Sequence, residues 1–349
     1  MPTSHLTSPL LTVAVPAYNG AEFLASALES VLAQATDDVE IIVVDDGSTD
    51  GTGDVVRQFG SRVRYISQRN SGLAAARNRG HMEARGEFVA WFDCDDICEP
   101  ARFALELEVL QRYPEIGLVS TGFSAFDDKG TIAESFADRY YGKIGRSGVG
   151  PLFEASQPFE SATMQGMSFP LHRGSVYRRL ALGNFIHPPT VMMRSEVWHK
   201  TGPLVTGLAS ATDWEFLVRA SRLYPFAYLD RPLLRYRRSR QQMTDDSNTL
   251  TNLPREMRAF ELILKADPLL RESSEQIRGL YRYWYVSLAT VAVSSDRLLA
   301  FRYLAASLRH GCDVGSFLRA AIRVLTPAFL LPAFRWARRA VVPLRNESS

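Results

Sequence analysis

The sequence predicts an α/β fold built on a mostly parallel central sheet, followed by a helical region. Three observations carry this. Strand-like and helix-like segments alternate over the first 125 residues, the strand-like runs are short and continuously apolar, and the chain from Pro254 onward reads mostly as helices.

Leu11–Val15 is a β-branched, apolar run that enters Pro16-Ala-Tyr-Asn-Gly, a strand ending in a turn. Ala21–Gln34 then places Phe23, Leu24, Ala27, Leu28, Val31 and Leu32 at the spacing of one buried helical face. Glu40-Ile-Ile-Val-Val is a second strand that closes on Asp45 and Asp46, and the following Gly-Ser-Thr-Asp-Gly supplies turn and capping residues. A third strand is expected at Arg62–Ser67, a third helix at Leu73–Ala84, and a fourth strand at Glu87–Phe92, ending at Asp93-Cys-Asp-Asp. From about Lys129 to Asn184 the chain is rich in Gly, Ser and aromatic residues without clean periodicity, and it reads as a loop or insert. Arg255–Lys265, Ser273–Val293 and Asp296–Arg309 are the expected C-terminal helices.

A chain of 349 residues with 46% hydrophobic residues can bury a full core. Its 40 basic and 38 acidic residues leave a net charge of +2, so no nucleic-acid partner is expected. Cys94, Cys98 and Cys312 form no paired spacings. A zinc or redox pair at Cys94 and Cys98 would lack its second Cys or His pair, and a reduced, cytoplasmic setting fits better. The start MPTSHLTSPL lacks the charge and apolar run of a signal peptide, and no uninterrupted apolar run reaches the roughly 20 residues that span a bilayer.

In an open parallel sheet, ligands collect beyond the carboxyl ends of the strands, so Tyr18, Asp46 and Asp93–Asp96 should face one crevice. Asp93, Asp95 and Asp96 repel one another within four positions, a cost that a cation or solvent must offset. An all-oxygen site favours Mg²⁺ or Mn²⁺; the same residues would also serve as an acidic turn before the helix near Pro100. Arg69-Asn-Ser-Gly-Leu-Ala-Ala-Ala-Arg-Asn-Arg-Gly sets backbone N–H groups at a helix start beside Arg69, with Arg77 two turns in. That pattern suits phosphate oxygens, and it also suits an Ala-rich helix with surface arginines.

Val15-Pro-Ala-Tyr-Asn, Val44-Asp-Asp-Gly-Ser-Thr-Asp, Asn70-Ser-Gly-Leu-Ala-Ala-Ala-Arg-Asn and Phe92-Asp-Cys-Asp-Asp resemble, in order and spacing, the inverting glycosyltransferases of family 2. The resemblance is strong over about the first 125 residues and weaker to about residue 245. It implies a GT-A fold, with a Rossmann-like sheet flanked by helices. The catalytic domain would occupy residues 1–250, with a donor half at about 10–125 and an acceptor half at about 126–250, ahead of a helical region over 251–349.

By that resemblance Pro16, Tyr18 and Asp46 would contact the nucleoside, and Arg69 and Arg77 would lie near the diphosphate or brace its loop. Asp93 and Asp95 would form the Asp-x-Asp element, Asp93 on the nucleotide and Asp95 on a Mg²⁺ or Mn²⁺ ion. Asp96 would face the donor sugar, with metal contact and helix capping as alternatives. His187-Pro-Pro-Thr-Val-Met-Met-Arg and Thr212-Asp-Trp-Glu-Phe-Leu-Val-Arg resemble acceptor-side segments, which makes Asp213 the general base; a helix-start acid is the plain structural reading. Many members carry Glu-Asp where Thr212-Asp213 stand, so Glu215 is a second candidate. Trp214 could be a sugar platform or core, and His187 more readily shapes a turn than acts as a base.

The implied reaction moves a sugar from a nucleotide diphosphate donor, a UDP-sugar by family habit, to an acceptor hydroxyl with inversion. The acceptor would be a saccharide or lipid-linked saccharide in polysaccharide or glycan assembly. Arg235-Tyr-Arg-Arg-Ser-Arg-Gln-Gln-Met-Thr replaces the Gln-x-x-Arg-Trp element of processive synthases, which favours single-sugar addition; its arginines could close over the diphosphate or form a solvated basic loop. The stretch Ser316–Arg345 interleaves arginines and aromatics. It could lie on an anionic membrane at the cytoplasmic face of the inner membrane, or pack on the catalytic domain, and Pro327, Pro332 and Pro343 interrupt it. A catalytically silent sugar-nucleotide-binding scaffold is the alternative from another class. A dinucleotide dehydrogenase fails for want of Gly-x-Gly-x-x-Gly in the first turn, and a nucleotidyltransferase for want of a Gly-rich loop there.

Overall fold

A computed structural model describes residues 8–141, 144, 147–208, 210–239, 248–311, 315, 317, 321 and 322. The chain divides into two compact units, Met1–Gln242 with Arg258–Ala266, and Met243–Met257 with Asp267–Ser349.

The first unit opens as a run of βα units: β1 (Leu11–Ala17), α1 (Leu24–Leu32), β2 (Val39–Asp45), α2 (Thr52–Arg57), β3 (Arg64–Ser67), α3 (Leu73–Glu83) and β4 (Phe88–Trp91). Every residue of β1 is buried, as expected of a parallel strand covered on both faces. Its polar member, Thr12, donates its hydroxyl to Glu40 Oε2 at 2.9 Å and accepts the Gly86 N–H at 2.9 Å. Helix α1 buries Leu24, Ala27, Leu28 and Val31, most of the face that the apolar spacing marks. Helix α3 lies close on β1: a Cβ at Gly80 would sit 3.1 Å from the Ala14 Cβ, which explains the small residues there.

The chain continues through β5 (Ile97–Cys98), α4 (Arg102–Arg112), β6 (Leu118–Asp127), β7 (Gly130–Ala133), α5 (Ala137–Tyr140), β8 (Ala155–Glu160), β9 (Ser168–Gly174), α6 (Tyr177–Ala181), β10 (Met192–Arg194), α7 (Ser195–Thr201), α8 (Thr212–Ser221) and β11 (Phe226–Arg237). One mixed sheet results, in the order β3-β2-β1-β4-β10-β6-β11-β9-β8, with β5 on β11 and β7 on β6. The β3-β2-β1-β4 side is parallel throughout, and β10 enters antiparallel between β4 and β6.

The stretch from Lys129 to Asn184 therefore differs from the loop that its composition suggests. It holds β7, α5, the antiparallel pair β8 and β9, and α6. Pro158 faces Pro170 across that pair, and much of β8 is exposed, so the usual strand alternation is blurred.

In the second unit, α10 (Ser274–Ala292) and α11 (Arg297–Leu308) pack through Ala289, Ala292, Val293, Ala300 and Leu304. Leu250, from α9 (Thr249–Ala266), joins this cluster, while residues 258–266 of α9 belong to the first unit. Asp296 caps α11 by accepting the Leu299 N–H at 2.9 Å. Among the described residues no helix is long and apolar enough to cross a membrane. Cys312, Arg240–Thr244 and most of Ser316–Arg345 lie outside the described residues.

Candidate functional site

Registers of Ala17 with Asp45 on β2 and of Ala14 with Trp91 on β4 bring the turns after β1, β2 and β4 to the same end of the sheet. The first two turns are tied together. Asn19 N–H donates to Ser48 Oγ and Thr49 N–H to Asn19 Oδ1, both at 2.9 Å. The Gly20 and Ala21 N–H groups reach Thr52 Oγ1 at 2.9 Å and Asp50 Oδ2 at 3.1 Å. Tyr18 stands above them, 52% exposed, whereas Pro16 is buried inside β1 opposite Val44.

The two carboxylates that end β2 are both buried and amply supplied with donors. Asp45 accepts Ser48 N–H at 2.8 Å and the Tyr65 hydroxyl at 2.5 Å. Asp46 accepts the Gln68 amide at 2.7 Å, Ser71 N–H at 2.9 Å and Gly72 N–H at 2.7 Å. Asp46 thus holds the loop that leads into α3, the loop on which Arg69 is exposed.

The turn after β4 is supplied differently. Asp96 is 1% exposed; one oxygen accepts the Arg237 N–H at 3.0 Å, and the other has no hydrogen-bond partner. Burial, with Asp95 and Asp93 beside it, pushes the Asp96 carboxyl well above the usual carboxylate range. Asp95 is half-buried, and its carbonyl accepts from Arg237 Nε at 2.8 Å. Arg237 therefore braces the acidic turn, its guanidinium lying over Phe23 and Phe126.

An ion pair missed in the sequence lies in the buried core beside this turn: Arg102 donates to Glu106 at 3.2 Å and to the Trp91 carbonyl at 3.2 Å, and both side chains are fully buried. Burial raises Glu106 to about 7 against the pull of Arg102. The signal was available, because 102, 105, 106 and 109 share one helical face and Leu105 and Val109 are core.

These oxygens fit a hard cation by donor type, and Asp96 keeps a buried carboxylate oxygen without a partner. Among the described residues no group of three or more acidic, His or Cys side chains is placed to hold a metal ion by itself. An open arrangement is what Mg²⁺ uses when substrate phosphates and waters complete its shell. Cys94 and Cys98 are free thiols that burial holds up, Cys98 to about 11, which makes both poor ligands.

Arg77 joins the acidic turn to the second half of the sheet. Only 3% exposed, it donates to Asp93 at 2.9 Å, stands 3.7 Å from Asp213 and lies over the Trp91 ring. Asp213 sits in the first turn of α8, with Oδ1 accepting the Trp214 N–H at 2.8 Å. Glu215, by contrast, is buried and bound to Arg219 at 2.7 and 3.0 Å. Trp214 is core: 4% exposed, it donates to the Leu180 carbonyl at 2.8 Å and stacks on Phe260. His187 is buried against Phe123 at 4.1 Å, and burial, then Arg77 and Arg102, hold it down to about 3, a neutral packing residue.

Three non-glycine residues among those described have left-handed backbone: Asn19, Ala101 and Ala211, at φ 50°, 65° and 59°. Asn19 follows β1, Ala101 follows the acidic turn, and Ala211 lies two residues before Asp213.

Residues 12–173 match the family model described as Glycosyl transferase family 2. An uncharacterized glycosyltransferase of Rickettsia felis is 25% identical over 67% of this chain and 35% of its own length. Glycosyltransferase GlyA of Streptococcus pneumoniae is 34% identical over 40% of this chain and 20% of its own. The chain spans 20–40% of the length of such curated relatives. By fold it is similar to the 1–349 segment of S. aureus TarS in complex with UDP-GlcNAc, with TM-score 0.54, 19% identity, and 94% and 87% of the two chains covered. It is also similar to the mannosyltransferase PcManGT from Pyrobaculum calidifontis in complex with GDP-Man and Mn²⁺, with TM-score 0.56, 18% identity, and 95% and 84% covered.

Proposed function

We propose that this chain, whose residues 12–173 match the family model of glycosyl transferase family 2, moves a sugar from a nucleotide diphosphate donor to an acceptor hydroxyl with inversion. One observation carries the reading: Arg77 holds Asp93 and Asp213, far apart in sequence, within a single site.

Tyr18 supplies an exposed ring to the nucleoside, while Asp46 shapes the Gln68–Gly72 loop beneath it and Arg69 stands toward the diphosphate. Pro16 acts from within β1 by setting the turn. Asp95 would hold the Mg²⁺ or Mn²⁺ ion, which when bound supplies positive charge to the departing diphosphate, and Asp93 positions the nucleotide beside it. Asp96, with its unpartnered oxygen, meets a donor-sugar hydroxyl. Asp213 takes the proton of the acceptor hydroxyl as that oxygen attacks the anomeric carbon; the nucleoside diphosphate leaves from the opposite face, so the centre inverts. Glu215, held by Arg219, is the weaker base.

A UDP-sugar donor and a saccharide or lipid-linked acceptor in polysaccharide or glycan assembly, used in the cytoplasm, complete the reading. It draws support from the family match and from neighbours of the same fold whose structures contain UDP-GlcNAc or GDP-Man. Calorimetric titration of UDP, GDP and dTDP with and without Mn²⁺ tests it. Metal-dependent binding of one nucleotide, weakened in Asp95→Ala by at least the 10–100-fold that loss of an outer-shell partner costs, is the expected outcome. A folded protein that binds none of them would instead be a silent scaffold.

A further inference from the structure

Helix α11 is apolar on two sides. Ala300 and Leu304 are buried in the cluster shared with α10, while Leu298, Phe301 and Leu308 are 63%, 54% and 54% exposed. With Arg302, Ala305 and Arg309, also exposed, they form one stripe at positions 298, 301, 302, 305, 308 and 309, the spacing of a single helical face. Helix α11 carries no carboxylate, and its charged residues are Arg297 and Arg302, with Arg309 directly after it.

We propose that this stripe seats the second unit on an anionic lipid surface, an inference that goes beyond the transfer reaction. Large apolar side chains flanked by guanidinium groups match the boundary between acyl chains and acidic headgroups: the apolar residues enter the boundary while the arginines reach outward to phosphate. A second copy fits less well, because a self-paired stripe would gather Arg302 and Arg309 of both copies in an apolar interface without a carboxylate to meet them.

The test is flotation of the full chain with vesicles of phosphatidylglycerol and phosphatidylcholine, against phosphatidylcholine alone. At about fivefold per arginine, the anionic vesicles should hold the protein roughly 25-fold more strongly, and Arg302→Glu with Arg309→Glu should remove that preference. Leu298→Asp with Phe301→Asp should weaken partition at least about tenfold, the equivalent of losing less than one buried apolar side chain. Unchanged thermal unfolding of both variants, whose positions face solvent, shows that the fold is kept. A natural chain that stays in solution, or variants that float as well as it does, overturns the proposal. So does a concentration-dependent dimer in sedimentation that Phe301→Asp dissolves, since the stripe would then belong to a second copy.

Discussion

The turns after β2 and β4 each end an apolar strand in clustered carboxylates, yet their oxygens meet different surroundings. Asp45 and Asp46 are surrounded by donors: Ser48, Tyr65, Gln68, Ser71 and Gly72 all point at them. Asp93, Asp95 and Asp96 share one turn with Arg77 and Arg237, and Asp96 retains a buried oxygen that nothing meets. Donors on every side make the first pair a brace for its own loop, whereas the bare Asp96 oxygen leaves a buried acceptor unused. The same distinction separates Glu215, clasped by Arg219, from Asp213, whose second oxygen has, among the described residues, Arg77 at 3.7 Å.

The sharpest way to break this comparison is Asp213→Asn. It should lower kcat by about 10²–10⁴, the range for general-base loss, with nucleotide binding unchanged in calorimetry; an equal loss of binding would merge the two classes. On the other side, Asp46→Ala should cost about 3 kcal/mol in urea unfolding, from two backbone hydrogen bonds to a charged acceptor at ~1.5 kcal/mol each. Activity lost from a variant of native stability would make Asp46 a direct ligand instead. Glu215→Gln should cost about 1–2 kcal/mol of stability and change kcat by less than about tenfold. The smallest effect sharpens the contrast in sign. Asp96→Asn removes repulsion from Asp93 and Asp95 while keeping an acceptor for the Arg237 N–H, so it should raise stability by about 1 kcal/mol while lowering sugar transfer.

Much of the parallel side was legible because its signals are local. The apolar runs of β1 and β2, the face of α1 and the small residues of α3 mark their own positions. The other side depends on long-range pairing. Strand β10 is three residues long and finds its place only between β4 and β6. Strand β11 contains Asp230 and Pro232, and its pairing with β6 shifts register on both sides of that proline. Among the candidate residues, the acidic turn and Asp213 stand out in the sequence by residue type. That Asp46 faces inward to its own loop, and that Arg77 is buried between Asp93 and Asp213, depends on how α3 lies on the sheet, which no spacing in the chain encodes.

The left-handed alanines at 101 and 211 carry a consequence for how such a protein changes under selection. An L-residue in that conformation costs about 1–2 kcal/mol, which glycine would largely relieve. A search for heat tolerance would be drawn to Ala101→Gly and Ala211→Gly. Each would also loosen the backbone beside a candidate acid, the acidic turn in one case and Asp213 in the other. If the proposed sites are right, endurance and turnover would be set against each other at these two positions.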